Sequence, residues 1–276
     1  MTADLEYGAE TAAECDGSVS AEKIKNAVAL RGKRAGCSYE LLGKVVLVAF
    51  LVDDGESKWD NESEKAFVTV LKNVSERLMS DSGLNKKELS VAYAWCRVSV
   101  PYPVTRKITD LCVRDVLRQF GYEDSGSYQK HYEEKFSRDE AALSFVFNKE
   151  FRSYATRITK GAETDESYCV EGNEQSFVSF CKDRIAEGER TMIHELMHQF
   201  GAMDLYYPER VKFEAEKHLP GSIMNGGTTI DSLTRYVIGW DKELGADAQR
   251  FLEAISIIPE EDLEYARKQE WLKTKS

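Results

Sequence analysis

His194 and His198 stand four positions apart, with Glu195 beside the first of them, in the stretch Thr191 to Tyr206 that reads TMIHELMHQFGAMDLY. On a helix of 3.6 residues per turn such a pair projects about 40° apart around the axis and one turn apart along it, so two imidazoles can grip one metal ion. Glu195 then sits where it can reach a metal-bound water without being a ligand, the placement a general base needs for metal-assisted hydrolysis. Gly201 lets the chain leave the helix in a conformation other residues resist, and the turn can return Asp204 as a third ligand. Three protein ligands plus a water form the open tetrahedral set expected of a catalytic zinc.

The same stretch carries an apolar stripe of Met192, Ile193, Leu196, Met197 and Phe200, which by itself predicts an ordinary core-facing helix. The two readings coexist, because a helix can bury that stripe and still aim the histidines at a cleft. Of the chain's four histidines, His131 lies in a polar context, YQKHYEEKF, that reads as solvated helix or loop. His218, Glu214 and Glu216 remain alternative sources of the third ligand.

These groups need a scaffold. The β-branched run Val45 to Val52 predicts a central strand buried on both faces. Asn61 to about Met79, capped by Asn61 or Ser63, repeats apolar residues at helical spacing, Leu89 to Val98 reads as a second strand, and Ile108 to Phe120 reads as a helix closed by Gly121. Leu143 to Asn148 predicts a third strand. Ser167 to Val170 and Ser176 to Cys181 predict a hairpin about Glu171, Gly172 and Asn173, with Ser176 to Cys181 at the sheet edge. The motif helix is expected at about 191–201. It is followed by a loop, YYPERVKFEAEKHLPG, a turn at about 222–225, a helix capped by Asp231 and a last helix from Pro259. The fold class read from this order is α+β, a mixed, mostly parallel twisted sheet with backing helices. Residues 1–38 are expected as a loosely ordered N-terminal segment and 39–276 as one catalytic domain.

A chain of 276 residues and 31.3 kDa can bury a sizeable core without staples. Its 48 acidic against 37 basic residues, a net charge of −11, remove the electrostatic case for nucleic acid or anionic membrane. The longest apolar run is far too short to span a bilayer, and MTADLEYGAE lacks the regions of a signal peptide. As written, the sequence therefore suggests a cytoplasmic protein, or a secreted one if a leader has been removed. The six cysteines are scattered and read mostly as free thiols, with Cys169 and Cys181 as the pair to test for a bridge.

HELMHQFGAMD followed by SIMN resembles the metzincin zinc peptidases, in which an extended His-Glu-x-x-His motif precedes a methionine-containing turn. The tail Gly201, Asp204, Tyr206 is similar to the aspartate-ligand variety, as in snapalysin and the immune-inhibitor-A-like peptidases. The resemblance covers roughly Met192 to Trp240. It implies a zincin-like fold and a zinc-dependent endopeptidase acting on protein or peptide substrates. His194, His198 and Asp204 would hold Zn2+, Glu195 would serve as general base, and Met224 would form the floor beneath the metal. Tyr206 would stabilise the oxyanion, with Tyr207 and Tyr236 as competitors. Asn225, Gly226 and Gly227 stand where a tyrosine often follows the methionine turn. That departure motivates the alternative of a zinc-binding or protein-interaction domain with little or no peptidase activity.

Overall fold

The computed structural model describes residues 24, 25, 28, 29, 40–123, 125–157 and 174–256. Its centre is β1 (Gly43–Asp53), where every side chain from Val45 to Val52 is fully buried. A strand buried on both faces needs a neighbour on each edge and a layer on each face. β1 runs parallel to β2 (Leu89–Ser99) on one edge and to β3 (Glu140–Phe147) on the other. A short strand, β4 (Tyr154–Arg157), pairs antiparallel with β5 (Glu174–Ser179), which runs parallel to β3. The order is β2-β1-β3-β5-β4, an α+β fold on a mostly parallel sheet.

Side chains alternate along a strand, so β1 feeds two cores. Val45, Leu47, Ala49 and Leu51 face one that is shared with α1 (Asn61–Ser82), α4 (Ile185–Gln199), α5 (Glu209–His218), α6 (Ser232–Val237) and α7 (Ala246–Ser256). Val46, Val48, Phe50 and Val52 face the other, covered by α2 (Thr109–Arg118) and α3 (Ser125–Phe136). The first core is the one that seats the motif helix, α4. No helix among the described residues is long and apolar enough to cross a membrane.

Several expectations change. The cap of α1 is Asp60, whose Oδ1 accepts from Ser63 N at 2.7 Å, rather than Asn61 or Ser63. The motif helix starts at Ile185, well before 191. The stretch read as a loop after it contains α5, whose Val211 and Ala215 are buried. Likewise α3 is no solvated element, since its own Tyr128 and Gln129 are buried, and His131 packs against Tyr122, Tyr128 and Tyr132.

The edge assignment is also corrected. Glu174–Ser179 lies inside the sheet between β3 and β4, and among the described residues β4 is the edge strand, in the register Tyr154↔Phe177 and Ala155↔Ser176. A four-residue strand carries too little periodicity to stand out in sequence, and only its long-range pairing identifies it. The expected strand Ser167 to Val170, Cys169 and the helix from Pro259 lie outside the described residues. Cys181 is a free thiol. Of the N-terminal segment, Ile24 is buried within the first core.

Candidate metal centre

α4 is pinned to the sheet by polar groups as well as by its apolar stripe. Ser176 Oγ on β5 donates to the backbone oxygen of Glu195 at 3.0 Å, and Gln199 Nε2 donates to Ser176 Oγ at 2.6 Å and to Leu143 O at 3.0 Å. The Glu195 carbonyl and the Gln199 side chain thus both meet β5 through Ser176. Met192, Leu196 and Met197 fill the core beside them. With one face held by β5 and another by the core, the helix leaves His194 and His198 turned toward the open side.

Each histidine is oriented through its Nδ1. That of His194 bonds Ile223 O at 2.9 Å, and that of His198 bonds Ala202 O at 2.8 Å. A carbonyl can only accept, so each Nδ1 carries a proton, and the Nε2 of each ring is the atom left facing Asp204, the position from which a neutral imidazole could ligate a metal. Ala202 comes into place because Gly201 takes a positive φ of 93° at the end of α4, a region open chiefly to glycine.

The turn continues to Asp204, whose Oδ1 lies 3.2 Å from Nε2 of His194 and 3.2 Å from Nε2 of His198. Yet this buried oxygen accepts no hydrogen bond from either ring. Both Nε2 atoms and Oδ1 thus converge on one small volume. A tetrahedral zinc at about 2.0–2.2 Å from N and O ligands holds neighbouring donors roughly 3.3–3.6 Å apart, and the two 3.2 Å distances from Asp204 Oδ1 lie just below that spacing. Donors of two imidazoles and one carboxylate suit zinc chemistry.

Beside them Glu195 is 4% exposed, and its Oε2 is buried without a hydrogen-bond partner. Its carboxylate lies within 4.8 Å of the ring nitrogens. Burial pushes its pKa up, against the pull of the two rings. Burial acts on Asp204 in the same direction, but the two imidazoles more than offset it and hold that carboxyl well below the usual range.

Tyr206 projects toward Asp204. Its hydroxyl donates to Asp204 Oδ2 at 2.8 Å, which leaves Oδ1 for the histidines, and its ring stacks 6.3 Å from that of His194. Of Tyr206, Tyr207 and Tyr236, Tyr206 lines the cleft. Tyr207 is half-exposed next to it, and Tyr236 stands on α6. Arg152 Nη2 lies 3.4 Å from the Tyr206 hydroxyl.

Met224 is buried in a 3-10 turn, Ile223–Asn225, entered by Ser222 and left through Gly226 at φ 76°. Ser222 Oγ reaches Met224 N at 3.2 Å and Asp231 Oδ2 at 2.6 Å, while Asp231 Oδ1 caps α6 through Leu233 N and Thr234 N. The turn in turn holds the ligand loop, as Leu205 N donates to Met224 O at 2.8 Å. Thus the methionine turn positions both a histidine, through Ile223 O, and the aspartate loop, through Met224 O.

The other third-ligand candidates go elsewhere. Glu214 and His218 sit 3.4 Å apart on α5 and face each other, and Lys217 approaches Glu214 at 3.5 Å. A cleft of about 630 Å³ opens over His194, Glu195 and Tyr206. Its sheet-side wall includes Phe151, Arg152 and Ser153 from the loop between β3 and β4, a segment with no local signal that would tie it to the motif. Gln199 was the more legible omission, being a polar residue one turn beyond Glu195 on an otherwise apolar face.

No protein family, no curated protein and no solved structure matches this chain.

Proposed function

We propose that the chain is a zinc-dependent endopeptidase of the aspartate-ligand metzincin type. The observation that carries this reading is the convergence of His194 Nε2, His198 Nε2 and Asp204 Oδ1 beside Glu195, whose Oε2 is buried without a hydrogen-bond partner. A structural metal site has no use for such a carboxylate facing an open cleft, whereas hydrolysis needs one.

His194, His198 and Asp204 would hold the zinc, which when bound acidifies a water and polarises the scissile carbonyl. Glu195 accepts the proton of the attacking water at its carboxylate and passes it to the leaving amine as the peptide bond breaks. Its burial keeps that carboxylate desolvated and its proton affinity high, which suits a group that must both take and return a proton. Tyr206 keeps Asp204 turned toward the histidines. An extended substrate adds along β4, the edge strand adjoining the cleft loop, where backbone hydrogen bonds bind a peptide irrespective of its side chains.

The test is hydrolysis of casein by the zinc-loaded chain, by the chelated chain and by Glu195→Gln. Turnover in the first sample alone is expected. Equal turnover in all three would overturn the reading, and one bound zinc without turnover on any peptide would favour the zinc-binding domain instead.

A further inference from the structure

Two guanidinium groups enter the cleft without a carboxylate partner among the described residues. Arg190 stands one turn before His194, so positions 190, 194 and 198 form a column along α4. Its Nη1 reaches Gly226 O at 3.4 Å, beside the methionine turn. Arg152 comes from the loop between β3 and β4 and approaches the Tyr206 hydroxyl. That loop is firmly anchored. Ser179 Oγ donates to Lys149 O at 2.7 Å, Ser179 N to Ser153 Oγ at 2.9 Å, and Lys149 Nζ to the fully buried Asp54 at 2.6 Å.

The exposed acids of the cleft are already engaged. Arg184 takes Glu150 at 2.5 Å and Glu187 at 3.4 Å, so these carboxylates do not neutralise Arg152 or Arg190. A basic substrate would have to break those pairs, and a neutral one would leave Arg190 with only the Gly226 carbonyl and Arg152 with only the Tyr206 hydroxyl and the charge of Glu195. A carboxylate satisfies them, since a guanidinium binds it with paired, charge-assisted hydrogen bonds. In a chain of net charge −11, cations left unpaired beside the reacting groups also favour anionic ligands locally against the overall field.

We propose that the cleft selects peptides carrying a carboxylate close to the scissile bond, received by Arg152 and Arg190. This rests on the reading of the cleft as a peptide site. The carboxylate is either an acidic side chain or the peptide's own C-terminus, and one experiment separates the two.

Zinc-loaded Glu195→Gln is titrated by fluorescence anisotropy with four labelled octapeptides. Three are amidated, with Asp, Asn or Lys at the centre, and the fourth has central Asn and a free C-terminus. The central-Asp peptide is expected to bind at least about tenfold tighter than its Asn counterpart, the size of a charge-assisted hydrogen-bond pair. That gap should shrink to within about twofold when Arg152→Gln and Arg190→Gln are added, with bound zinc and circular dichroism unchanged. Tighter binding of the free C-terminus alone would assign the carboxylate to the chain end and still support the proposal. Equal binding of all four peptides, a gap that survives in the double variant, or no binding by any peptide would overturn it. Loss of the peptidase reading is separately visible, because wild-type chain that binds the acidic peptide selectively without cleaving it refutes hydrolysis and leaves the carboxylate site standing.

Discussion

The Nδ1 of His194 is bonded to the backbone oxygen of Ile223 at 2.9 Å, across 29 residues of chain. His198 is oriented locally, by Ala202 four residues on. One ring of the candidate centre therefore depends on the methionine turn, and the other on the end of its own helix.

Gly227 tests that dependence. A Cβ built there would lie 2.1 Å from the backbone oxygen of Gly221, far inside contact distance, so Gly227→Ala must displace the turn that carries Ile223 and Met224. Losing the orienting carbonyl is expected to weaken zinc affinity about 10–100-fold. Competition against a chromophoric chelator measures it, and unchanged affinity would show that the turn does not orient His194.

Asp204 and Glu214 separate the two ligand schemes. Asp204→Ala is expected to abolish stoichiometric zinc and with it the zinc-dependent rise in thermal stability, worth about 4 kcal/mol at a thousandfold excess over Kd. Glu214→Gln should retain both, since Glu214 faces His218 on α5. Zinc retained by Asp204→Ala and lost by Glu214→Gln would reverse the assignment.

Tyr206→Phe removes the hydroxyl bonded to Asp204 Oδ2 at 2.8 Å. A group that orients a ligand is expected to cost roughly 10–100-fold in zinc affinity when lost. Were the hydroxyl acting on the reacting carbonyl instead, zinc affinity would stay within about twofold and kcat alone would fall by about 100-fold. Chelator competition and steady-state kinetics together distinguish the two.

Ser176→Ala deletes the hydroxyl that links Gln199 and the Glu195 carbonyl between α4 and β5. The buried partners it leaves behind predict a loss of about 1–3 kcal/mol in urea unfolding. An unchanged midpoint would mean that the apolar stripe alone seats the helix.

Asp54 predicts an acid-side effect. Burial pushes its carboxyl up, and Lys149 with the N–H groups of Ser57 and Val104 more than offsets that, holding it below the usual value. A depressed folded-state pKa contributes stability that is present above the unfolded value, near 3.9, and is lost as pH falls through the folded one. Asp54→Asn should therefore flatten the acid limb of the stability curve below about pH 4. Above it, breaking the buried pair should cost roughly 3 kcal/mol. Parallel acid limbs in wild type and variant would refute this.

What could be read without the structure is what depends on near neighbours. The four-residue spacing of His194 and His198, the stripe behind them, Gly201 as the exit and the doubly buried run Val45 to Val52 all express periodicities set by a few consecutive residues. Even where boundaries slipped, as at Ile185 and across α5, the missing signal was weak amphipathicity, and burial came from remote partners.

The tertiary structure decided what sits opposite those residues. It turned Asp204 Oδ1 onto both rings and left Glu214 to His218. It gave the Tyr206 hydroxyl to Asp204, placed β4 at the edge in place of Ser176 to Cys181, and brought Arg152 to the cleft. Such pairings join segments tens of residues apart, and their energy depends on which surfaces the folded sheet makes available. A local pattern can announce a helix that offers two imidazoles on one face, but which side chains stand opposite them and which segments wall the cleft are decided only when distant parts of the chain pack against it.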